Sequence, residues 1–247
     1  MLAIIGGTGL TQIQGVKVLA ERSPYTALGE ASGPIIEAEL EGRSVLFLAR
    51  HGHPHKLPPH KINYRANLLA LQAAGASEII AVNAVGAIDP QLVEASLVMP
   101  DQIVDYTWGR EATFYDGDYL PLDHIDFTFP YSYEVRLRLK AAAREAGLEL
   151  HDGGTYAATQ GPRLETAAEV RRLAQDGCTL VGMTGMPEAA LARELQLPYA
   201  CLALVVNPAA GLRDQEITLE EMQQALDKGL GRVLQLLRTY TTSKTSG

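Results

Sequence analysis

The stretch CLALVVNPAAGL, residues 201–212, carries an apolar, β-favouring run that ends at an Asn-Pro pair, Asn207 and Pro208. A run without polar alternation reads as a strand buried on both faces, the kind found in parallel sheets with helices on each side. Asn and Pro are both turn residues, so the pair reads first as the turn that stops the strand. A carboxamide is nevertheless an odd terminator for a core strand, where charge or glycine would serve an ordinary surface turn.

Similar apolar runs recur at residues 3–5, 45–49, 79–82, 103–106, 156–159 and 179–183. Segments of helical composition lie between them, at residues 64–74, 134–146, 167–175 and 187–195. The alternation predicts an α/β fold with a central, largely parallel sheet flanked by helices. Thr166 with Glu169, and Thr218 with Glu221, have the spacing of capping boxes and mark two helix starts. The last helix sets Leu219, Met222, Leu226, Leu230, Val233 and Leu237 on one apolar stripe. Residues 241–247 are small and polar and read as a disordered tail.

The 247 residues, 47% hydrophobic and 20% charged, fit one domain over residues 1–247, with no repeat or linker. A net charge of -8 argues against nucleic acid and against anionic membrane. Cys178 and Cys201 have no metal or disulfide spacing. The first residues lack a leader's basic start, and no apolar segment reaches about 20 residues, so a cytoplasmic protein is expected.

Polar chemistry gathers behind the apolar runs: Gly6-Gly7-Thr8-Gly9, Arg50-His51, Asn83-Ala84, Thr184 and Asn207. Ligands of open α/β sheets bind beyond the carboxyl ends of the strands, so these segments can share one pocket. Their chemistry suits an anion. Glycines admit the backbone, Thr8 and Thr184 offer hydroxyls, and the fork of Arg50 matches two phosphate oxygens. His51, His53, His55 and His60 could instead suggest a metal, but Pro54, Pro58 and Pro59 break any regular strand and no acidic or Cys partner is near. No metal is expected.

Ile4-Ile5-Gly6-Gly7-Thr8-Gly9-Leu10, Leu48-Ala49-Arg50-His51-Gly52, Gly161-Pro162-Arg163 and Gly182-Met183-Thr184 with Pro187-Glu188 occur in this order. Together they resemble the purine nucleoside phosphorylase and methylthioadenosine phosphorylase family from residue 3 to about Ala209. The resemblance implies a single-domain α/β fold with a mixed sheet, a homotrimer or dimer of trimers, and phosphorolysis of an N-glycosidic bond. Inorganic phosphate is then a co-substrate and no cofactor is used. It also implies phosphate contacts at Thr8, Arg50, His51, Asn83, Ala84 and Thr184, a ribose contact at Met183, and substrate contacts at Asn207, Pro208 and Ala209.

Side-chain chemistry narrows the base. A 6-oxopurine leaving with N7 protonated presents an acceptor at O6 and a donor at N7, which one carboxamide can match. The adenine branch of the family carries Asp-x-Asp where this chain has Asn207-Pro208-Ala209. Glu165 stands where the 6-oxopurine enzymes have glutamate, and its carboxylate can accept N1–H. Asn207 and Glu165 are thus the expected catalytic pair for a hypoxanthine-type base, although Glu165 beside the Thr166 cap could also be a surface acid. The 5′ histidine of enzymes that take ordinary nucleosides has no counterpart after His151. Leu219, aligned across a gap, is the expected apolar contact for a methylthio group, or else a core residue. His124 is expected to reach a neighbouring subunit's 5′ pocket. The combination predicts cleavage of methylthioinosine in purine salvage, with inosine, guanosine or methylthioadenosine as the alternatives.

Overall fold

The computed structural model describes residues 1–7 and 16–243. Thr8, Gly9 and Leu10 therefore lie outside the described residues. In chain order the strands are β1 (Leu2–Gly6), β2 (Lys17–Arg22), β3 (Tyr25–Thr26), β4 (Gly29–Glu30), β5 (Ile35–Leu40), β6 (Arg43–Ala49), β7 (Glu78–Ala87), β8 (Leu97–Met99), β9 (Gln102–Asp105), β10 (His151–Asp152), β11 (Thr155–Ala158), β12 (Leu180–Gly182) and β13 (Tyr199–Pro208). The helices are α1 (Tyr64–Ala73), α2 (Tyr133–Glu145), α3 (Ala167–Gln175), α4 (Gly185–Glu194) and α5 (Leu219–Thr242). All but β3 and β4, which pair with each other, join one mixed sheet in the order β10-β8-β13-β7-β1-β6-β5-β2, with β12, β11 and β9 branching from β7.

The opening stretch lies in the centre of that sheet. Alternate side chains of β13 enter two cores: Cys201, Ala203 and Val205 pack with α1 and α4, while Leu202, Leu204 and Val206 pack with α2 and α5. That is why the run shows no polar alternation. Each fully buried Leu or Val side chain contributes roughly 1.5–3 kcal/mol.

The strand does not stop at Asn207. β13 continues through Pro208 against β7, with Asn207 opposite Gly86 and Pro208 opposite Ala87, after a register shift between Val205 and Asn207. The expected turn is a bulge, with Val206 the additional residue. Strict alternation would send Val206 and Asn207 to opposite faces; the bulge lets both line one cavity.

β7 also sets a gap in the sheet. On its other edge it pairs with β1 over residues 78–81 and with β12 over residues 86–87. Among the described residues, 82–85 meet no strand on that edge. Asn83 and Ala84, expected just after a strand, are therefore inside β7, and Ala84 is exposed among buried neighbours.

Both capping boxes form, at Thr166 with Glu169 and at Thr218 with Glu221. α5 lies close over β13 because Gly229 has no side chain; a Cβ there would stand 2.3 Å from Leu204 Cδ1. The helix outlasts the expected boundary of the tail, running to Thr242 with Thr241 buried.

Candidate active site

A cavity of about 760 Å³ opens at the bare edge of β7, between the ends of β12 and β13 and the face of α5. Its size suits a nucleoside with a small anion. Another cavity, of about 810 Å³, lies between α2 and α4 beside Tyr199, at the far end of β13. It contains none of the residues expected to act, whereas the first gathers Arg50, His51, Thr184, Glu165 and Asn207.

The anion end is built around Arg50, which is 2% exposed. Nε and Nη2 donate to Glu188 Oε2 and Oε1 at 2.7 and 2.8 Å, and Nη1 donates to the Val82 carbonyl at 3.0 Å. Tyr199 donates its hydroxyl to the same carboxylate, at 2.8 Å. Burial alone would lower the guanidinium's pKa, but the facing Glu188 outweighs it and holds the group charged. The fork expected to grip phosphate thus grips Glu188 instead. Of the five N–H bonds of a guanidinium, one on each terminal nitrogen remains for a ligand.

His51 donates from Nδ1 to the Leu57 carbonyl, at 2.8 Å, because a carbonyl can only accept. Its ring stacks on His55 with centroids 4.2 Å apart. Burial lowers its pKa from 6.5 to about 4; the Leu57 bond opposes this, while the charges of Arg50 and His55 add to it. The neutral ring leaves Nε2 as an acceptor, suited to the O–H of a protonated phosphate.

Between about 6.5 and about 4 the unfolded chain binds a proton here that the folded chain refuses, so stability falls as the pH drops through that window. The melting temperature in phosphate-free buffer should fall over this range, and less so in His51→Asn. Equal slopes would assign the loss to other groups.

Thr184, just before α4, lines the cavity, and its Oγ1 accepts from Asn83 Nδ2 at 2.8 Å. The threonine's own proton is free to point at a ligand. Asn83 is 2% exposed, does not line the cavity, and accepts from Cys201 Sγ, so it holds Thr184 from behind the cavity wall. Ala84 and Met183 both line the cavity.

At the other end stand Asn207, Ala209 and Glu165. Asn207 is 4% exposed and donates one Nδ2 proton to the Pro208 carbonyl at 2.7 Å. Its second N–H and its Oδ1 remain to read a ligand. Pro208 contributes that carbonyl but does not face the cavity. Glu165 Oε1 accepts from the Thr159 hydroxyl at 2.6 Å, which fixes the carboxylate at the cavity wall.

Leu219 is not in the cavity; it is 83% exposed. Ile217, Met222 and Leu226 provide the apolar wall on this side. Sequence reasoning placed Met222 on the stripe without giving it this role, and it overlooked Lys56 at the rim and Glu188 behind Arg50. Only Glu188 had a signal, a carboxylate within an already recognised motif. Among the described residues no three His, Cys, Asp or Glu side chains gather as a metal-ligand set, and no helix is long and apolar enough to cross a membrane.

A mixed α/β sheet whose cavity joins oxyanion donors to an amide and a carboxylate suited to a purine defines a nucleoside phosphorylase. The chain belongs to the phosphorylase superfamily, whose family model matches residues 1–242. A probable S-methyl-5'-thioinosine phosphorylase from Pseudomonas syringae pv. tomato is 57% identical over 231 residues, covering 94% of each chain. A 6-oxopurine nucleoside phosphorylase from Pyrococcus furiosus is 43% identical over 243 residues, covering 96% of this chain and 90% of the relative. The solved methylthioadenosine phosphorylase from Schistosoma mansoni superimposes with a TM-score of 0.91 at 30% identity, covering 97% and 90% of the two chains.

Proposed function

We propose that the protein cleaves S-methyl-5'-thioinosine with phosphate, yielding hypoxanthine and 5-methylthioribose 1-phosphate, as a pentosyltransferase of purine salvage. The observation that carries this reading is Asn207 and Glu165 in one cavity with an apolar wall of Ile217, Met222 and Leu226. Relatives named for methylthioinosine and for 6-oxopurine nucleosides support it.

A phosphate oxygen attacks the anomeric carbon as the bond to the purine breaks, and that bond's electrons leave with the base. The sugar passes through oxocarbenium character while negative charge builds on the purine. Arg50, Thr184 and the backbone near Ala84 position the nucleophile, and His51 accepts its P–O–H proton in a hydrogen bond. N7 takes a proton from solvent as negative charge builds on the base; Asn207 then accepts from N7–H while donating to O6, and Glu165 accepts from N1–H, the amide's donation strengthening as O6 gains charge. Ile217, Met222 and Leu226 suit a methylthio group better than a 5′-hydroxyl, which their carbons cannot hydrogen-bond.

Phosphate is the co-substrate, without metal or organic cofactor, and neither nucleic acid nor membrane takes part. Residues 1–247 act as one cytoplasmic domain within a homotrimer or dimer of trimers. Exposed Trp108, Leu122 and Phe129, all within residues 106–132, offer apolar surface for such an assembly. His124 lies on the same segment, and on this reading it reaches a neighbour's 5′ pocket.

The deciding experiment compares kcat/KM for methylthioinosine, inosine and methylthioadenosine with phosphate. Methylthioinosine should lead. A lead for inosine would refute the reading of the α5 wall, and a lead for methylthioadenosine the reading of Asn207 and Glu165. Glu165→Ala should lower methylthioinosine turnover about 100-fold with little change in melting temperature. Activity and stability falling together would make Glu165 a structural acid.

A further inference from the structure

We propose that Arg110 is a positioning residue that locks the base-reading wall of the cavity to its phosphate wall. This rests on the phosphorolysis reading above. Arg110 lies in the irregular segment 106–132 and does not line the cavity. Its Nη2 donates to the carbonyls of Thr159 and Gln160, at 3.2 and 2.8 Å, and its Nε to Gln160 Oε1 at 3.2 Å. Its Nη1 donates to the carbonyls of Met183 and Met186, at 2.9 and 2.6 Å. A guanidinium has five N–H bonds, and all five are engaged.

The partners fall into two groups. Thr159 and Gln160 follow β11, and Thr159 holds the Glu165 carboxylate. Met183 to Met186 follow β12 and include Thr184, whose hydroxyl faces the anion end. β11 and β12 pair up to Ala158 opposite Gly182, so both groups lie just past the end of their ladder. Beyond it Thr159 donates to the Gly182 carbonyl from its backbone N, at 2.8 Å, and from its hydroxyl, at 3.3 Å. Four carbonyls there face one another across the join, and a single planar cation gathers them. The packing leaves little slack: a Cβ on Gly161, whose φ is +61°, would stand 2.5 Å from Met183 Sδ. The face of the Tyr64 ring, 5.6 Å from the guanidinium carbon, supports the cation from the side.

Without Arg110 each wall keeps its own ligand-binding groups. What changes is the distance and angle between the purine held by Glu165 and Asn207 and the phosphate held beside Thr184. The expected signature is therefore lost turnover without lost binding of the separate ligands.

The test is Arg110→Lys, whose compact ammonium cannot span both groups of carbonyls. Its kcat should fall about 100-fold, while the Kd of phosphate alone and of hypoxanthine alone, measured calorimetrically, stay near wild type. Gln160→Ala, which removes the acceptor of Arg110 Nε and of Trp108 N but leaves all four carbonyls in place, should show a milder fall in kcat with the same split and a fully folded chain. Unchanged kcat in both variants, or Kd values rising in step with the loss of kcat, would overturn the proposal. A wild-type chain that cleaves none of the three nucleosides with phosphate would instead overturn the functional reading, whatever Arg110 does.

Discussion

Glu188→Ala is expected to destabilise the protein by about 3–5 kcal/mol, the cost of leaving a buried ion without its partner. Glu188 is fully buried and Arg50 is 2% exposed, so water cannot replace the lost carboxylate. Two charge-assisted bonds disappear, and the Tyr199 hydroxyl loses its acceptor in the same step. Equilibrium unfolding in denaturant measures the loss directly. The double replacement Arg50→Met with Glu188→Leu removes both charges and fills the space with apolar atoms, so it should recover most of the stability. It should not recover phosphate-dependent cleavage, because the guanidinium at the anion end is gone and Lys56 stands only at the rim. Stability and function separate in that comparison. If Glu188→Ala is as stable as wild type, the pair does not anchor the site; if the double variant cleaves nucleosides at the wild-type rate, Arg50 does not serve phosphate.

The site was legible where it depends on strand order and obscure where it depends on register or long-range partners. Arg50, His51, Thr184, Met183, Glu165 and Asn207 are scattered in sequence, yet they line one cavity because strand ends of an α/β sheet converge. The bulge before Asn207 has no sequence signature of its own, since it exists only relative to β7. Leu219 is in phase with the apolar stripe, but it is the first residue of α5, one turn short of the part that packs; Met222 and Leu226 reach the cavity. β2 and β5 form the antiparallel end of the sheet and are more exposed, so they lack the continuous apolar runs that marked the central strands. Glu188 meets Arg50 across 138 residues, and Arg110 collects carbonyls 49 to 76 residues away. Such partnerships are set by the finished fold, and a lone Arg in an irregular segment gives no local hint of them.

Asn207→Asp is expected to invert the base preference. The amide has one N–H and its carbonyl oxygen left after bonding Pro208, which suits O6 and N7–H of a departing hypoxanthine. An ionised aspartate only accepts, so it would oppose O6 and also face the Pro208 carbonyl that Asn207 now satisfies. Methylthioinosine turnover should fall about 10²–10³-fold, the range for loss of a donor aimed at developing charge. Methylthioadenosine should lose far less, because its N6 and protonated N7 are both donors to a carboxylate. The ratio of kcat/KM for the two nucleosides is the quantity to measure, because a general loss of folding cancels from it. An unchanged ratio would mean that the carboxamide does not read position 6, and Asn207 would then serve only to satisfy the backbone at the end of β13.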